Sequence, residues 1–400
     1  MKNIDNDQSI IPGKRLLSLD ALRGFDMFWI VSGEGIFHGI AKAIQQKYGL
    51  IQDQHTWQIE VTNELTWIEK IGVGISNQLH HTVWNGFTFY DLIFPLFIFI
   101  AGISMPFSYG KQLSAGPGAK KKIYRALLKR TVLLLLLGMV VNGLLQWKPI
   151  EETRFASVLG RIALSCFFAA IIYLNASFRW RITWFVLILA GYWMAMELIP
   201  VPGFGPGILT PEGNLSAYID RLWLPGKLHR GVYDPEGWLS TIPAVATALL
   251  GIFTGEILRN ARYTAIKKVL GLSVAGVFFL LAGLAWGIVF PINKNIWSSS
   301  FVLYAGGCSL LLFAFFYFII DVRGIIKWSL PFVWLGCNSI LIYLAAHGLV
   351  NFMSTSEFIL GGITHRVDVR WHEAILWTGV ALIQFAVLYG LYKKKIFLKL

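Results

Sequence analysis

His80-His81-Thr82-Val83-Trp84-Asn85-Gly86-Phe87-Thr88-Phe89-Tyr90-Asp91 runs into Leu92-Ile93-Phe94-Pro95 and a long apolar stretch that ends near Gly102. An apolar run of this length predicts a membrane helix over 86–110, with polar groups at its mouth and descending into it. At about 100° per residue, His81, Asn85 and Thr88 fall on one narrow face of such a helix, with Asp91 a little off it. His80 points roughly 80° away, so the helix phase favours His81 over its neighbour. A polar stripe on an apolar helix is expensive in lipid and has to face a cavity or another helix. Pro95 removes a backbone hydrogen bond and frees a carbonyl, which suits a helix lining a cavity. The bland alternative for His81 is an interfacial histidine bonded to a loop carbonyl. The in-phase Asn85, Thr88 and Asp91 favour a functional site.

The rest of the chain has the same character. Of its 400 residues, 56% are hydrophobic and only 14% charged, with a mean hydropathy of +0.59. A soluble chain would carry nearer a quarter charged residues, so the class is an all-α integral membrane protein. Apolar runs predict a polytopic bundle of about ten transmembrane helices near 16–40, 86–110, 123–145, 154–174, 181–199, 238–258, 266–290, 298–320, 331–352 and 371–391. The basic residues gather in one alternating set of loops: Lys14/Arg15, Lys111 to Arg130, Arg179/Arg181, Arg259 to Lys268, Arg323/Lys327 and Lys393 to Lys395. On the positive-inside rule these loops and both termini are cytoplasmic, which puts His81 on the outer side. The net charge of +13 then marks topology and contact with anionic membrane lipid, and no nucleic-acid partner is expected. Residues 1–400 read as one transmembrane domain, with outer lid-like loops at 41–85 and 200–237; the six prolines of the second argue for an ordered cap. Cys166, Cys308 and Cys337 have no metal-ligand spacing, so neither a metal nor a disulfide framework is expected. The first apolar run carries Asp20, Arg23 and Asp26 and reads as a span, not a cleavable leader.

Several further groups can carry chemistry. On a continuous first helix, Asp20, Arg23, Glu34 and His38 share a face within about 60°. Asp20 and Arg23 at i,i+3 read as an intramembrane ion pair or as a substrate contact. Glu34, flanked by glycines and level with His81, can orient the imidazole, hold an amino group, or be a satisfied polar residue. Arg154, Ser157, Arg161 and Ser165 fall on one face of the fourth span, where Arg161 needs either an anionic ligand or a partner such as Asp91 or Asp20. Asp234 and Glu236 open the sixth span as N-terminal caps, or bind carbohydrate together with Trp238. Asn293 and Lys294 lie in a tight outer turn, and Asn338 and Ser339 begin the ninth span as buried polar groups that must find partners. Lys122 and Arg125 belong to the strongest basic cluster, which meets either lipid headgroups or the phosphates of a soluble anionic cofactor.

In their order along the chain, these motifs resemble the heparan-alpha-glucosaminide N-acetyltransferase family of membrane acyltransferases. The matching stretches are Ser18 to Gly24, His81-Thr82-Val83-Trp84-Asn85-Gly86 through Pro95, Arg154 to Arg161, Tyr233 to Gly237, Pro291 to Trp297, Asn338 to Leu341 and Lys393 to Phe397. The resemblance implies transfer of an acetyl group from cytoplasmic acetyl-CoA to the amino group of a glucosamine-type sugar on the far side of the membrane. The family's active histidine, in its His-x-x-Trp-Asn-Gly motif, lands on His81. Starting directly at the first motif span, the chain resembles a bacterial relative located in the inner membrane. It departs from the lysosomal pattern at Glu34, where that pattern has asparagine, and at His347, displaced by one residue. Two other activities fit the same residues: O-acylation of a cell-envelope glycan, and transport of a sugar or glycan, although no repeat of the transporter kind is visible. A second copy of the chain is a further expected partner.

Overall fold

The computed structural model describes residues 16–113, 116 and 118–398; Lys14 and Arg15 lie outside them. Among the described residues the protein is all-helical, with isolated β-bridges and no strand. The helices are α1 (Leu17–Phe28), α2 (Glu34–Tyr48), α3 (Trp67–Gln78), α4 (Phe89–Leu113), α5 (Ala119–Val141), α6 (Val158–Asn175), α7 (Phe178–Leu198) and α8 (Leu215–Trp223). They continue with α9 (Thr241–Arg259), α10 (Ala265–Gly287), α11 (Ser299–Phe316), α12 (Leu330–Cys337), α13 (Ser339–Leu344), α14 (Phe352–Thr364) and α15 (His372–Lys393). Among the described residues, seven helical stretches are long and apolar enough to cross a membrane, and an eighth if the bent pair around Asn338 forms one span. This is the architecture of a multi-pass membrane protein.

The other two expected spans are also helical. The first, 16–40, is α1 joined to α2 by a π turn at Trp29–Gly33, and it continues outward to Tyr48, where Gly49 ends it in the left-handed conformation. The extra residue of a π turn rotates everything beyond it, so the single face expected for Asp20, Arg23, Glu34 and His38 does not exist. The pairs within each half persist, with Asp20 beside Arg23 at 3.6 Å and Glu34 beside His38 at 3.4 Å. The third, 123–145, is α5, whose first half carries the exposed Lys122, Arg125, Lys129 and Arg130.

Packing follows the rule for apolar surroundings, where small residues let backbones approach because lipid offers no hydrophobic contrast. Helix α4 packs on α9, α1 on α12, and α10 on α11. A Cβ on Gly102 would lie 2.2 Å from the Ala248 carbonyl oxygen, and one on Gly336 1.9 Å from that of Asp20. Thus α4, α9 and α11 form the enclosed centre, while α7 and α10 turn most of their apolar side chains outward. The expected ninth span bends by 68° between Lys327–Cys337 and Ser339–Leu349. At the break, the Asn338 side chain donates to the Ile396 carbonyl at 3.0 Å and accepts the Leu398 N–H at 3.0 Å, tying down the C-terminal segment.

On the side of the molecule that carries His81, segments 41–85 and 200–237 both hold helical structure. Segment 41–85 holds the end of α2 and then α3, which opens on a reciprocal Thr66–Glu69 capping box. Segment 200–237 folds as a cap around α8 and is pinned to the chain before α6 by the Arg154–Gly226 bridge and the Lys227 N–H to Thr153 carbonyl bond.

Candidate active site

The segment from Leu79 to Thr88 is a loop, and α4 begins only at Phe89. His81, Asn85 and Thr88 therefore share no helix face, which corrects the phase argument. The physical reason is the Thr88-x-x-Asp91 pattern, a helix-start signature. The Asp91 carboxylate reaches back to accept the Thr88 N–H at 3.2 Å, and Gly86 takes φ +117° in the turn before it. The loop wraps over this helix start and brings the same residues together by another route. His81 Nδ1 lies 2.8 Å from Asp91 Oδ1, while Oδ2 accepts from the Thr82 N–H at 3.3 Å and the Thr82 hydroxyl at 3.1 Å. Thr88 donates its hydroxyl to the His80 carbonyl at 2.7 Å, closing the loop on itself.

A second loop completes the arrangement. Asn293 is fully buried, and its side-chain amide donates to Asn85 Oδ1 at 3.0 Å, while Gly86 N–H donates to the Ile292 carbonyl at 2.8 Å. Beside them, Lys294 Nζ sits 3.0 Å from both ring nitrogens of His81 and 3.7 Å from Asp91 Oδ1. Burial and the Lys294 charge lower the pKa of His81 below its ordinary value, and the Asp91 carboxylate works against them.

The other wall comes from α2. The Tyr90 hydroxyl donates to Glu34, and the Tyr90 ring lies 4.7 Å from that of His81. Thus Asp91 is the carboxylate on the imidazole, and Glu34 is separated from it by a tyrosine ring. His80, set aside by helix phase, also faces this space, stacked on His38 at 4.2 Å. Burial, with His38 next to it, pushes His80 down to about 4.

Arg154 belongs to the loop before α6, since Ser157 caps that helix through the Gly160 N–H. Hence Arg154 and Arg161 lie on no common helical face. The Arg154 guanidinium forks onto Asp234, at 2.8 and 2.6 Å, and also bonds Glu236. Asp234 and Glu236 do not cap the sixth span, because α9 starts at Thr241. Burial raises the pKa of Asp234, but the bonds from Arg154 outweigh it and hold the carboxyl below its usual range. Arg161 is fully buried, donates to Ser240 and the Gly237 carbonyl, and lies 4.9 Å over the Trp297 ring. Its contacts are these groups, not Asp91 or Asp20.

His81, Asp91, Glu34, Arg154, Glu236 and Lys294 line one cavity of about 650 Å³, under a roof that includes Tyr233, His229 and Pro211 of the cap. Within the chain, residues 61–285 match the family model described as "Heparan-alpha-glucosaminide N-acetyltransferase, catalytic". The chain belongs to this family. Human heparan-alpha-glucosaminide N-acetyltransferase is 29% identical over 383 residues, covering 80% of this chain and 55% of the human protein. The mouse protein of the same name is 28% identical, covering 80% of this chain and 56% of its own length. The chain thus spans a little over half the length of these curated relatives.

In this family member the remaining predicted residues lie around the cavity or apart from it. Asn85, Thr88, Asn293 and Asp234 support its lining side chains. Trp238 is 52% exposed and offers its backbone N–H to Asp220 of α8, a carboxyl that burial pushes up to about 7. Asp20 and Arg23 lie on α1, where Arg23 also donates to Ser104 of α4 at 3.1 Å. Lys122 and Arg125 are exposed on α5. Ser339 lines a second, apolar cavity of about 40 Å³ with residues of α1, α4, α6 and α13, and Val158 borders both cavities. Sequence reasoning did not single out Tyr90, His55, Trp57 or His229 as lining residues. Only Tyr90 carried a signal, as the neighbour of Asp91 inside the opening stretch.

Proposed function

We propose that the protein transfers an acetyl group from acetyl-CoA to the amino group of a glucosamine-type sugar. The observation that carries this reading is the His81 imidazole on the wall of the large cavity, with Nδ1 against the buried Asp91 carboxylate. A ring whose Nδ1–H is held by a carboxylate has its lone pair on Nε2, the state needed of a base or nucleophile.

In a direct route, Nε2 takes a proton from the acceptor amine as the amine nitrogen attacks the thioester carbon. In a two-step route, Nε2 attacks that carbon, the C–S bond breaks, and the acetyl rests on the ring until the amine displaces it. Both routes leave an amide and the CoA thiol, and the thiol ends with the proton the amine gives up. Glu34, a ring's width from His81 across Tyr90, binds the acceptor's ammonium group, which gives up one proton to solvent to become the amine that attacks. Arg154 and Glu236 meet its hydroxyls, and Asp234 fixes Arg154. Asn85 and Thr88 act by holding the loop. The donor enters from the cytoplasmic side, its phosphates near Lys122 and Arg125 and its arm along the small apolar cavity. In support, that cavity lies among the spans expected to form such a path.

The test is acetyl transfer from labelled acetyl-CoA to glucosamine and its oligosaccharides by purified protein. His81→Ala is expected to lose at least about 10³-fold in rate with its fold retained. Activity that persists would move the chemistry to Glu34 or His80. An acetyl-histidine trapped with acetyl-CoA alone would select the two-step route.

A further inference from the structure

Lys294 takes no part in the steps just derived, yet the turn that carries it is closed by several hydrogen bonds. The turn around it is closed by Trp297 N–H on the Lys294 carbonyl at 3.1 Å and by Ser298 N–H on the Asn293 carbonyl at 3.0 Å. Asn293 Oδ1 accepts the Ile296 N–H at 3.2 Å, and Trp297 is fully buried at φ +51°. The side chain is itself only 13% exposed. Two bonds then clamp this turn to the His81 loop, as described above. The result is an ammonium set at equal distance from both imidazole nitrogens.

We propose that Lys294 is a positioning residue for the transfer reaction: its ammonium, held against the imidazole, keeps His81 uncharged where an ordinary histidine would be protonated. The inference rests on the reading of His81 as the group that handles the acetyl. Two basic groups compete for the single negative charge of Asp91. A free lysine binds its proton more tightly than an imidazole by about four pH units; burial lowers the Lys294 value and narrows that margin. With the ammonium already 3.7 Å from Asp91, a second positive charge on the ring would meet it at 3.0 Å. That repulsion falls on the imidazolium.

The other charges facing the cavity do not cancel this effect. Glu34 on α2 and Glu236 and Glu212 from the cap side favour an imidazolium, while Arg154 and Arg230 oppose it. Burial lowers the pKa of His80, to about 4, and that of His229, and His55 lies on the loop between α2 and α3. The groups in contact with the ring are Lys294 at 3.0 Å and Asp91 at 2.8 Å, with the Tyr90 ring against it at 4.7 Å.

The measurement is the titration of His81, read by ¹³C NMR on histidine-labelled protein with His81→Gln to assign the signal. Wild-type protein should titrate below about 6.5, the ordinary histidine value; a midpoint at or above that value overturns the proposal without any variant. Lys294→Met should raise the midpoint by about one to two units, and Lys294→Arg should leave it within about half a unit of wild type. In acetyl transfer, the acid limb of the kcat/KM profile should move up by the same amount in Lys294→Met. Below that limb the variant loses about tenfold per pH unit, and above it the rate recovers. A raised KM with an unmoved acid limb and an unmoved titration would make Lys294 a substrate contact and refute the inference. Absence of transfer by any form would refute the acetyltransferase reading alone, because the titration needs no turnover.

Discussion

Asp91→Asn is the substitution that separates a built base from a coincidental contact. The two oxygens of Asp91 face different partners: Oδ1 takes the His81 ring nitrogen, and Oδ2 takes the Thr82 and Thr88 N–H groups and the Thr82 hydroxyl. An asparagine of the same shape must turn an NH₂ toward one set. Turned toward the two backbone N–H groups, it would set donor against donor and lose two bonds, while the Thr82 hydroxyl can turn to accept. Turned toward His81, it loses one, and the ring can restore that bond by moving its own proton from Nδ1 to Nε2. The second arrangement is cheaper by roughly two hydrogen bonds, about 1–3 kcal/mol, so the variant should keep its loop and change its tautomer. The proton then sits on the atom that has to attack or accept. A wrong tautomer in a Ser-His-Asp triad lowers the rate by roughly 10⁴, and general-base catalysis as a whole contributes about 10²–10⁴. A loss of about 10³–10⁴, or 4–5.5 kcal/mol in barrier, is therefore expected in acetyl transfer from labelled acetyl-CoA. Unfolding temperature in detergent should fall by more than the loop bonds alone imply, because the Lys294 ammonium loses the carboxylate 3.7 Å away. Transfer within about threefold of wild type, from protein that remains folded, would refute this account of how the imidazole is oriented.

Two further outcomes follow from the same cavity. Arg154→Met leaves the carboxylates of Asp234 and Glu236, with side chains 0% and 9% exposed, without their shared cation, and should cost about 3–5 kcal/mol in thermal unfolding. In the wild type, the depressed carboxyl of Asp234 stabilises the fold above its unfolded pKa near 3.9, and that contribution is lost as pH falls through the folded value. Without Arg154 the sign reverses, and the variant's deficit should shrink as pH is lowered; a deficit independent of pH would count against the ion pair as its cause. Glu34→Gln keeps the acceptor of the Tyr90 hydroxyl but removes the charge that meets the amine, so KM for the amino sugar should rise about 10-fold or more while KM for acetyl-CoA stays level. Equal changes in both constants would place Glu34 outside the acceptor site.

The membrane class was legible in the sequence, and so were Glu34, His81, Asp91, Arg154, Glu236 and Lys294 among the residues that line the cavity, but the geometry joining them was not. Apolar runs of spanning length leave little choice of fold class, since each must satisfy its backbone internally. The π turn at Trp29–Gly33 escaped because a constant 100° step cannot register one inserted residue. The His81 stripe misled for a related reason: three polar positions in eight residues fit a helix, but they fit a loop equally well. Asn85-Gly86 as a turn and Thr88-x-x-Asp91 as a helix start were both present in the sequence and argued for the loop. Long-range partners left no local trace. Lys294 reaches His81 across 213 residues, Asn293 reaches Asn85 across 208, and Arg154 reaches Asp234 across 80. Nothing in the spacing of Arg161 announces that Trp297 and Ser240 receive it.

Placing the histidine on a loop and the carboxylate on a helix divides two requirements that one helix could not meet together. Asp91 lies in the first turn of α4, where unpaired N–H groups and the helix dipole favour an anion even when buried. It is a fixed acceptor, and its chemistry is settled by the helix start. On the proposed reading His81 needs the opposite: contact with incoming molecules and a link to whatever holds the acceptor. The loop supplies both. Its Trp84 indole donates to the Leu209 carbonyl of the cap at 2.8 Å, and Tyr233 packs edge-on against the same ring at 5.0 Å. Its Gly86 and Asn85 are bound to the turn that carries Lys294. Trp84 thus ties the His81 loop to the cap, and Thr82 ties the same loop to Asp91 at the start of α4. In this fold the His81 loop is the element that joins the cap, the Lys294 turn and the bundle.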